Sequence, residues 1–253
     1  MRTRTFHDLH HGRRPLLLPN VWSFASGAAM VEAGFPAVGT TSLGVAATAG
    51  KRDAAGGTRA ETLALARGLA RLPVPVTIDV EAGFSDRPGE VAALAADLAS
   101  WGIAGINIED GRPGGVLAAP DRQCALIRAI KAAAPDLFVN ARTDCHWLPG
   151  HTAQTLDRVR AYTEAGADGI FVPGLADEAG IRAAVAATHL PLNVLFLPGG
   201  ATFDELAAMG VRRVSYGSLL YRTALHAAVV TALEGRIPAG IPAYDDVQRL
   251  VSA

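Results

Sequence analysis

A single closed (β/α)₈ barrel is the fold this 253-residue sequence predicts, and three observations predict it. Short apolar or β-branched runs alternate with Ala- and Leu-rich stretches of helical period from end to end, with no long linker, as parallel strands joined by crossover helices require. The length is that of one such barrel, so residues 1–253 are read as one domain. Several helical stretches end in a Gly followed at once by an apolar strand start, the signature of a left-handed cap that turns the chain back.

In chain order, the Leu-rich run at 16–19 is the first strand and is followed by a helix over 23–33. The Gly of Glu-Ala-Gly-Phe at 32–35 turns the chain into a second strand over 37–41. A helix over 59–71 leads to the β-branched third strand, 74–80, and a helix over 89–100 closes at Trp-Gly-Ile, 101–103, before the fourth strand, 105–109. The helix over 120–133 precedes the fifth strand, 138–142. The helix over 152–164 closes at Glu-Ala-Gly-Ala, 164–167, before the sixth strand, 169–172. A helix over 177–187 leads to the seventh strand, 192–197. The helix over 203–209 closes at Met-Gly-Val, 209–211, the eighth strand covers 213–216, and a helix over 219–233 ends the pattern. A doubly wound open sheet would carry a Gly-rich turn after its first strand, and Pro19-Asn20-Val21-Trp22 is unlike one.

Composition narrows the function classes. Half the residues are hydrophobic, 19% are charged and the formal net charge is −1, which gives nothing to recruit nucleic acid or an anionic membrane. Two cysteines, Cys124 and Cys145, have no zinc-like spacing and form no disulfide framework, so a reducing, cytoplasmic setting is expected, with Cys124 a small buried residue. The first residues, MRTRTFHDLHHGRRP, lack the apolar run of a secretory signal, and no stretch approaches the roughly 18–20 apolar residues of a membrane span. His10 and His11 read as solvated, and His146 beside Trp147 as locally packed.

Chemistry in such a barrel sits where strands end. The third strand ends Asp79-Val80-Glu81, two carboxylates that a two-residue period points the same way, and the fourth ends at Glu109. Three acids at adjacent strand ends repel unless a cation compensates, and an all-oxygen set suits Mg²⁺ before Mn²⁺. The competing reading makes each acid a cap for the helix after it. The fifth strand brings Arg142 to the same rim, either to clamp a substrate carboxylate or to pair with Asp144 or Glu109. Thr40-Thr41-Ser42-Leu43-Gly44 is a small-residue turn able to receive an anionic group.

Taken together, Pro19-Asn20-Val21-Trp22, Gly39-Thr40-Thr41-Ser42, Asp79-Val80-Glu81-Ala82-Gly83-Phe84, Ile108-Glu109-Asp110 and Asn140-Ala141-Arg142-Thr143-Asp144 resemble the isocitrate lyase/phosphoenolpyruvate mutase superfamily, in the family's strand order over nearly the whole chain. The resemblance implies a Mg²⁺-dependent barrel acting on C–C or P–C bonds of 2-oxo acids. It makes Asp79 the main metal ligand, helped directly or through water by Glu81, Glu109 and Asp53. It also implies that the N–H groups of Ser42 and Leu43 bind a substrate carboxylate, with Thr41, Asp53 and Arg142 carrying the chemistry and Asn193 a polar position on the seventh strand.

The departures matter too. Isocitrate-cleaving relatives carry a Lys-Lys/Arg-Cys-Gly-His loop after the position of Glu109, whereas this chain has the Gly/Pro loop 110–117 with no Cys, Lys or His, and lacks the Lys and Asn of phosphonate-handling members. Pro173 stands where the mutase has His. The only lysines, Lys51 and Lys131, fall outside strand ends, which disfavours Schiff-base chemistry. The sequence thus points to a Mg²⁺-dependent carbon–carbon lyase for a small 2-oxo dicarboxylate, working through a stabilised enolate as in oxaloacetate decarboxylation. The alternatives are phosphonopyruvate hydrolysis or mutase-like P–C chemistry, with Thr41 or a water as nucleophile, and a metal-dependent carboxylate-binding protein without turnover. A homo-oligomer, dimer or tetramer, is expected by resemblance, with a tail after residue 240 too short for a long exchanged arm.

Overall fold

Pro19 decides how the barrel closes. In the computed structural model, which describes residues 2–252, the first strand is bent there into β1 (Leu16–Leu18) and β2 (Asn20–Val21). Proline has no N–H to give to a ladder, so regular pairing stops at it. β1 pairs with the last strand, β11 (Arg213–Ser215), and β2 with β3 (Val38–Thr40), so the two halves join the ends of one parallel sheet into a ring. Between them run β4 (Val76–Asp79), β5 (Gly105–Glu109), β8 (Phe138–Arg142), β9 (Gly169–Phe171) and β10 (Leu192–Leu195), in the order β1-β11-β10-β9-β8-β5-β4-β3-β2. This is the (β/α)₈ barrel that the strand pattern predicts, with its first strand split.

The crossover helices α2 (Phe24–Glu32), α4 (Arg59–Leu69), α5 (Pro88–Ser100), α6 (Pro120–Ala133), α7 (Thr155–Glu164), α8 (Glu178–Ala186), α9 (Phe203–Ala208) and α10 (Leu219–Glu234) lie within a few residues of the expected segments. The four helix-ending glycines, Gly34, Gly102, Gly166 and Gly210, have φ of 85 to 94°. The residue after each donates its N–H back across the last turn, as Ile103 does to the Leu98 carbonyl at 3.1 Å. Three helices were not legible from period or composition: α1 (Arg2–Leu9), α3 (Ser42–Thr48) and α11 (Tyr244–Val251). The tail is thus not a bare extension, because α11 folds back on α2 and Arg249 pairs with Glu32 at 2.6 Å. Likewise the Gly/Pro loop after Asp110 is an antiparallel ribbon of β6 (Gly111–Arg112) and β7 (Val116–Leu117). No described helix is long and apolar enough to cross a membrane.

Strand alternation sorts the core into two parts. Ile106, Ile108, Val139, Ala141, Val194 and Val214 face the helices in the main apolar core. The intervening residues turn into the barrel and are polar in its middle, where Asn140 Nδ2 donates to Asn107 Oδ1 at 2.9 Å and Arg213 Nη2 to the same oxygen at 3.2 Å. Below them Phe6, Leu16, Leu18 and Phe138 form a second apolar cluster that α1 completes.

His10 belongs to that lower plug and corrects its reading as solvated: it is 1% exposed. Its ring stacks on Phe138 at a centroid distance of 4.2 Å, and Nδ1 bonds the Phe6 carbonyl at 2.7 Å. Burial, with Arg213 nearby, pushes its pKa down to about 3. The unfolded chain binds a proton at this residue near pH 6.5 and the folded chain does not, so stability is complete above that pH and falls as pH drops toward 3. Between pH 7 and 4.5, urea unfolding of the wild type should lose about 2–3 kcal/mol more than that of His10→Gln. Equal losses would place no titrating burden on His10.

Candidate active site

Arg142, the last residue of β8, occupies the centre of the barrel's carboxyl-terminal rim. Its Nη1 lies 2.8 Å from Glu109 Oε2, at the end of neighbouring β5, and 3.9 Å from Asp79 Oδ2, at the end of β4; its Nε donates to Asp144 Oδ1 at 2.6 Å. The ion pairs weighed for Arg142 with Asp144 and Glu109 are therefore both made. Asp144 is held in turn by Asp110, whose Oδ1 accepts the Asp144 N–H at 2.8 Å. The Asp110 Oδ2 accepts from Arg158 at 3.0 Å and from the Tyr162 hydroxyl at 2.6 Å. The ribbon starts with Gly111 because a Cβ there would lie 2.2 Å from Asp144 Oδ2.

Glu81 departs from strand geometry. β4 ends at Asp79, and Glu81 follows with φ of 50°, so the two-residue period that would aim both acids alike no longer holds. The Glu81 N–H donates to Asp79 Oδ1 at 3.0 Å, while its carboxylate turns to the loop before α4, accepting from the Gly56 N–H at 3.0 Å and from the Thr58 hydroxyl. Glu81 thus anchors the loop that carries Asp53. Ala54 and Phe84 also have positive φ, 54° and 56°, so backbone strain concentrates on this side of the rim.

Asp53, Asp79 and Arg142 line one cleft of about 820 Å³, counted to its open mouth. Thr41, Ser42 and Leu43 line it too, at the start of α3, a helix where the small-residue sequence predicts a turn. Glu109 is reached from a side cleft shared with Asp53 and Arg142, and Glu81 from another shared with Glu109. Asn193 lies beneath the cleft, fully buried, its Oδ1 accepting from Ser215. Asn20, to which the sequence pattern assigns no role, is a wall residue: its Oδ1 accepts the N–H groups of Tyr216 and Gly217, both at 2.8 Å, and its Nδ2 donates to the Thr40 carbonyl. His146 stays off the cleft while exposed Trp147 lines it. Lys51 and Lys131 are both in ion pairs, with Glu61 and Asp168.

The electrostatics leave this rim short of positive charge. Burial, with the Asp53 and Glu81 carboxylates, pushes Asp79 up to about 6 against the pull of Arg142. Burial, with Asp144 and Asp79, likewise lifts Glu109 well above the usual carboxylate range. For Arg142 itself, burial works against the charge, but Glu109, Asp144 and Asp79 outweigh it and hold the guanidinium ionised. Among the described residues no three His, Cys, Asp or Glu side chains are grouped so that they hold an ion as placed, because Arg142 stands between Asp79 and Glu109 and Glu81 faces its loop. The donor chemistry nonetheless fits a hard cation: the acids supply only oxygen, and both Asp79 and Glu109 are under-compensated.

A family model for phosphoenolpyruvate phosphomutase matches residues 6–235. A Mycobacterium tuberculosis protein of uncharacterized function is 41% identical over 253 residues, covering 98% of this chain and 96% of that protein. The 2-methylisocitrate lyase of Bacillus subtilis (strain 168) is 32% identical over 209 residues, 78% of this chain and 69% of the lyase. A crystal structure from Burkholderia cenocepacia J2315, provisionally described as a phosphonomutase, superposes with a TM-score of 0.86 at 38% identity, over 93% of this chain and 99% of that one.

If Glu81 anchors the Asp53 loop, Glu81→Ala should raise amide exchange at Gly56 by about tenfold or more while the strand amides stay protected. Unchanged protection of Gly56 would show that the loop is held by something else.

Proposed function

The chain belongs to the phosphoenolpyruvate mutase/isocitrate lyase superfamily of lyases and mutases, and we propose that within it this protein is a Mg²⁺-dependent carbon–carbon lyase for a small 2-oxo dicarboxylate, with oxaloacetate decarboxylation as the concrete case. The observation that carries this reading is the meeting of Asp53, Asp79 and Arg142 in one cleft with the first turn of α3, at a rim short of positive charge.

Asp79 would hold the ion, with Asp53, Glu81 and Glu109 supporting it directly or through water. Once bound, the ion supplies a Lewis acid for the negative charge that develops on the 2-oxo group. The chain's own groups do the rest. The N–H groups of Ser42 and Leu43 receive the substrate carboxylate, beside Thr41. Arg142, fixed by Glu109 and Asp144, keeps its orientation as charge shifts across the cleft. The β6–β7 ribbon carries no Cys, Lys or His to act as a proton donor, which favours a reaction whose proton comes from water or a hydroxyl. Asn193, beneath the cleft, would act only through Ser215, a cleft residue.

We also propose that the chain forms a homo-oligomer in the cytoplasm. Leu225, Val229 and Leu233 lie exposed along α10, with Leu233 81% accessible, and a second copy is one way to cover them.

The test is a screen of 2-oxo and 2-hydroxy dicarboxylates and phosphonopyruvate, with and without Mg²⁺, that measures pyruvate and phosphate together. Pyruvate without phosphate from oxaloacetate, dependent on Mg²⁺ and reduced at least about 100-fold by Asp79→Ala, is the expected result. Phosphate from phosphonopyruvate would replace the C–C reading by P–C chemistry. Metal-dependent ligand binding with no product from any acid would make this a binding protein.

A further inference from the structure

A buried cation bonded only to neutral groups lies under the cleft. Arg213, on β11, is fully buried and donates from Nε to Ser215 Oγ and from Nη2 to Asn107 Oδ1, both at 3.2 Å, while its Nη1 has no partner among the described residues. Burial lowers its pKa to about 9 against the pull of Asp79, so it is charged at neutral pH. Both residues that it bonds line the cleft.

Asn107 is the more informative of the two. It stands on β5 beside Asp79, its register partner on β4, and is 3% exposed. Its Oδ1 takes two bonds, from Arg213 and from Asn140 Nδ2 at 2.9 Å. A guanidinium can only donate, so the atom it meets is the amide oxygen, and the orientation of the Asn107 amide is fixed by that chemistry. Nδ2 is left without a partner among the described residues and, unlike the Nδ2 of Asn193, is not sealed from the cleft. Two donors on Oδ1, one of them cationic, also polarise the amide and make its free N–H groups better donors. Fixed N–H donors of this kind, in a site closed to bulk water, suit an oxygen that carries negative charge.

We propose that Asn107 is a catalytic residue whose Nδ2 donates to the substrate oxygen on which negative charge develops. This rests on the reading of the site as one for 2-oxo acids. It gives the developing charge a donor from the chain itself, besides the ion that Asp79 would hold.

Calorimetric titration with oxalate tests it, with and without MgCl₂, beside kinetics on oxaloacetate. Oxalate is planar and carries a full charge where the enolate oxygen of pyruvate would lie. Asn107→Ala removes the donor; Asn107→Asp removes it too, but keeps an acceptor for Arg213 and Asn140. In MgCl₂, Asn107→Ala should bind oxalate at least about tenfold more weakly than the wild type, with Mn²⁺ affinity in the absence of acid changed less than about threefold. Its kcat on oxaloacetate should fall about 100-fold with KM within about threefold, and Asn107→Asp should do no better. A role confined to bracing Arg213 and Asn140 predicts instead that Asn107→Asp restores oxalate binding and turnover, and that result overturns the proposal. Equal weakening of Mn²⁺ and oxalate in Asn107→Ala assigns the loss to the metal site and overturns it as well. Wild-type oxalate affinity in Asn107→Ala overturns the inference alone, and failure of oxalate to bind the wild type in MgCl₂ overturns the underlying reading with it.

Discussion

One buried guanidinium organises the top of this barrel. Arg142 links three successive strand ends by pairing with Glu109 and Asp144 and approaching Asp79, and its partners are themselves held, Asp144 by Asp110 and Asp110 by Arg158 and Tyr162. A buried ion is costly unless it is paired and bonded, so each member of this chain of contacts depends on the next. Yet a single cation faces three close carboxylates, with Asp53 and Glu81 adding to the field, and burial makes the imbalance felt at Asp79 and Glu109. The demand for further positive charge is therefore built into the rim by its geometry.

The other half of the rim is held differently. Three non-glycine residues with positive φ, Ala54, Glu81 and Phe84, stand around the turn after β4, each costing of order 1–3 kcal/mol unless its surroundings hold it. The Glu81 carboxylate provides that hold by accepting from Gly56 and Thr58, and the same bonds bring the Asp53 loop over the cleft. Strain and loop placement are thus two aspects of one arrangement. The polar barrel interior beneath, with Arg213 bonded to neutral Asn107 and Ser215 and within the field of Asp79, supports the floor of the cleft.

What the sequence made legible follows from the range of each interaction. β5 and β8 match the expected strands residue for residue because their alternation is local, and Asp79, Glu109 and Arg142 fall at strand ends for the same reason. The aim of Glu81 was not legible, since its left-handed backbone is set by Gly56 and Thr58, more than 20 residues away. Nor was the burial of His10, which depends on α1 folding under Phe138 from the far side of the chain. Asp53 was found through family resemblance alone, because nothing in its spacing marks it.

In the proposed reaction everything else depends on the carboxylate rim taking a hard divalent cation. Titration of the purified chain with Mn²⁺, followed by the loss of the free-ion resonance in electron paramagnetic resonance, measures that directly. A single saturable site per chain that Mg²⁺ displaces, and whose affinity rises when a 2-oxo acid is added, is the predicted result. A linear response to added Mn²⁺, with or without a 2-oxo acid, would contradict it.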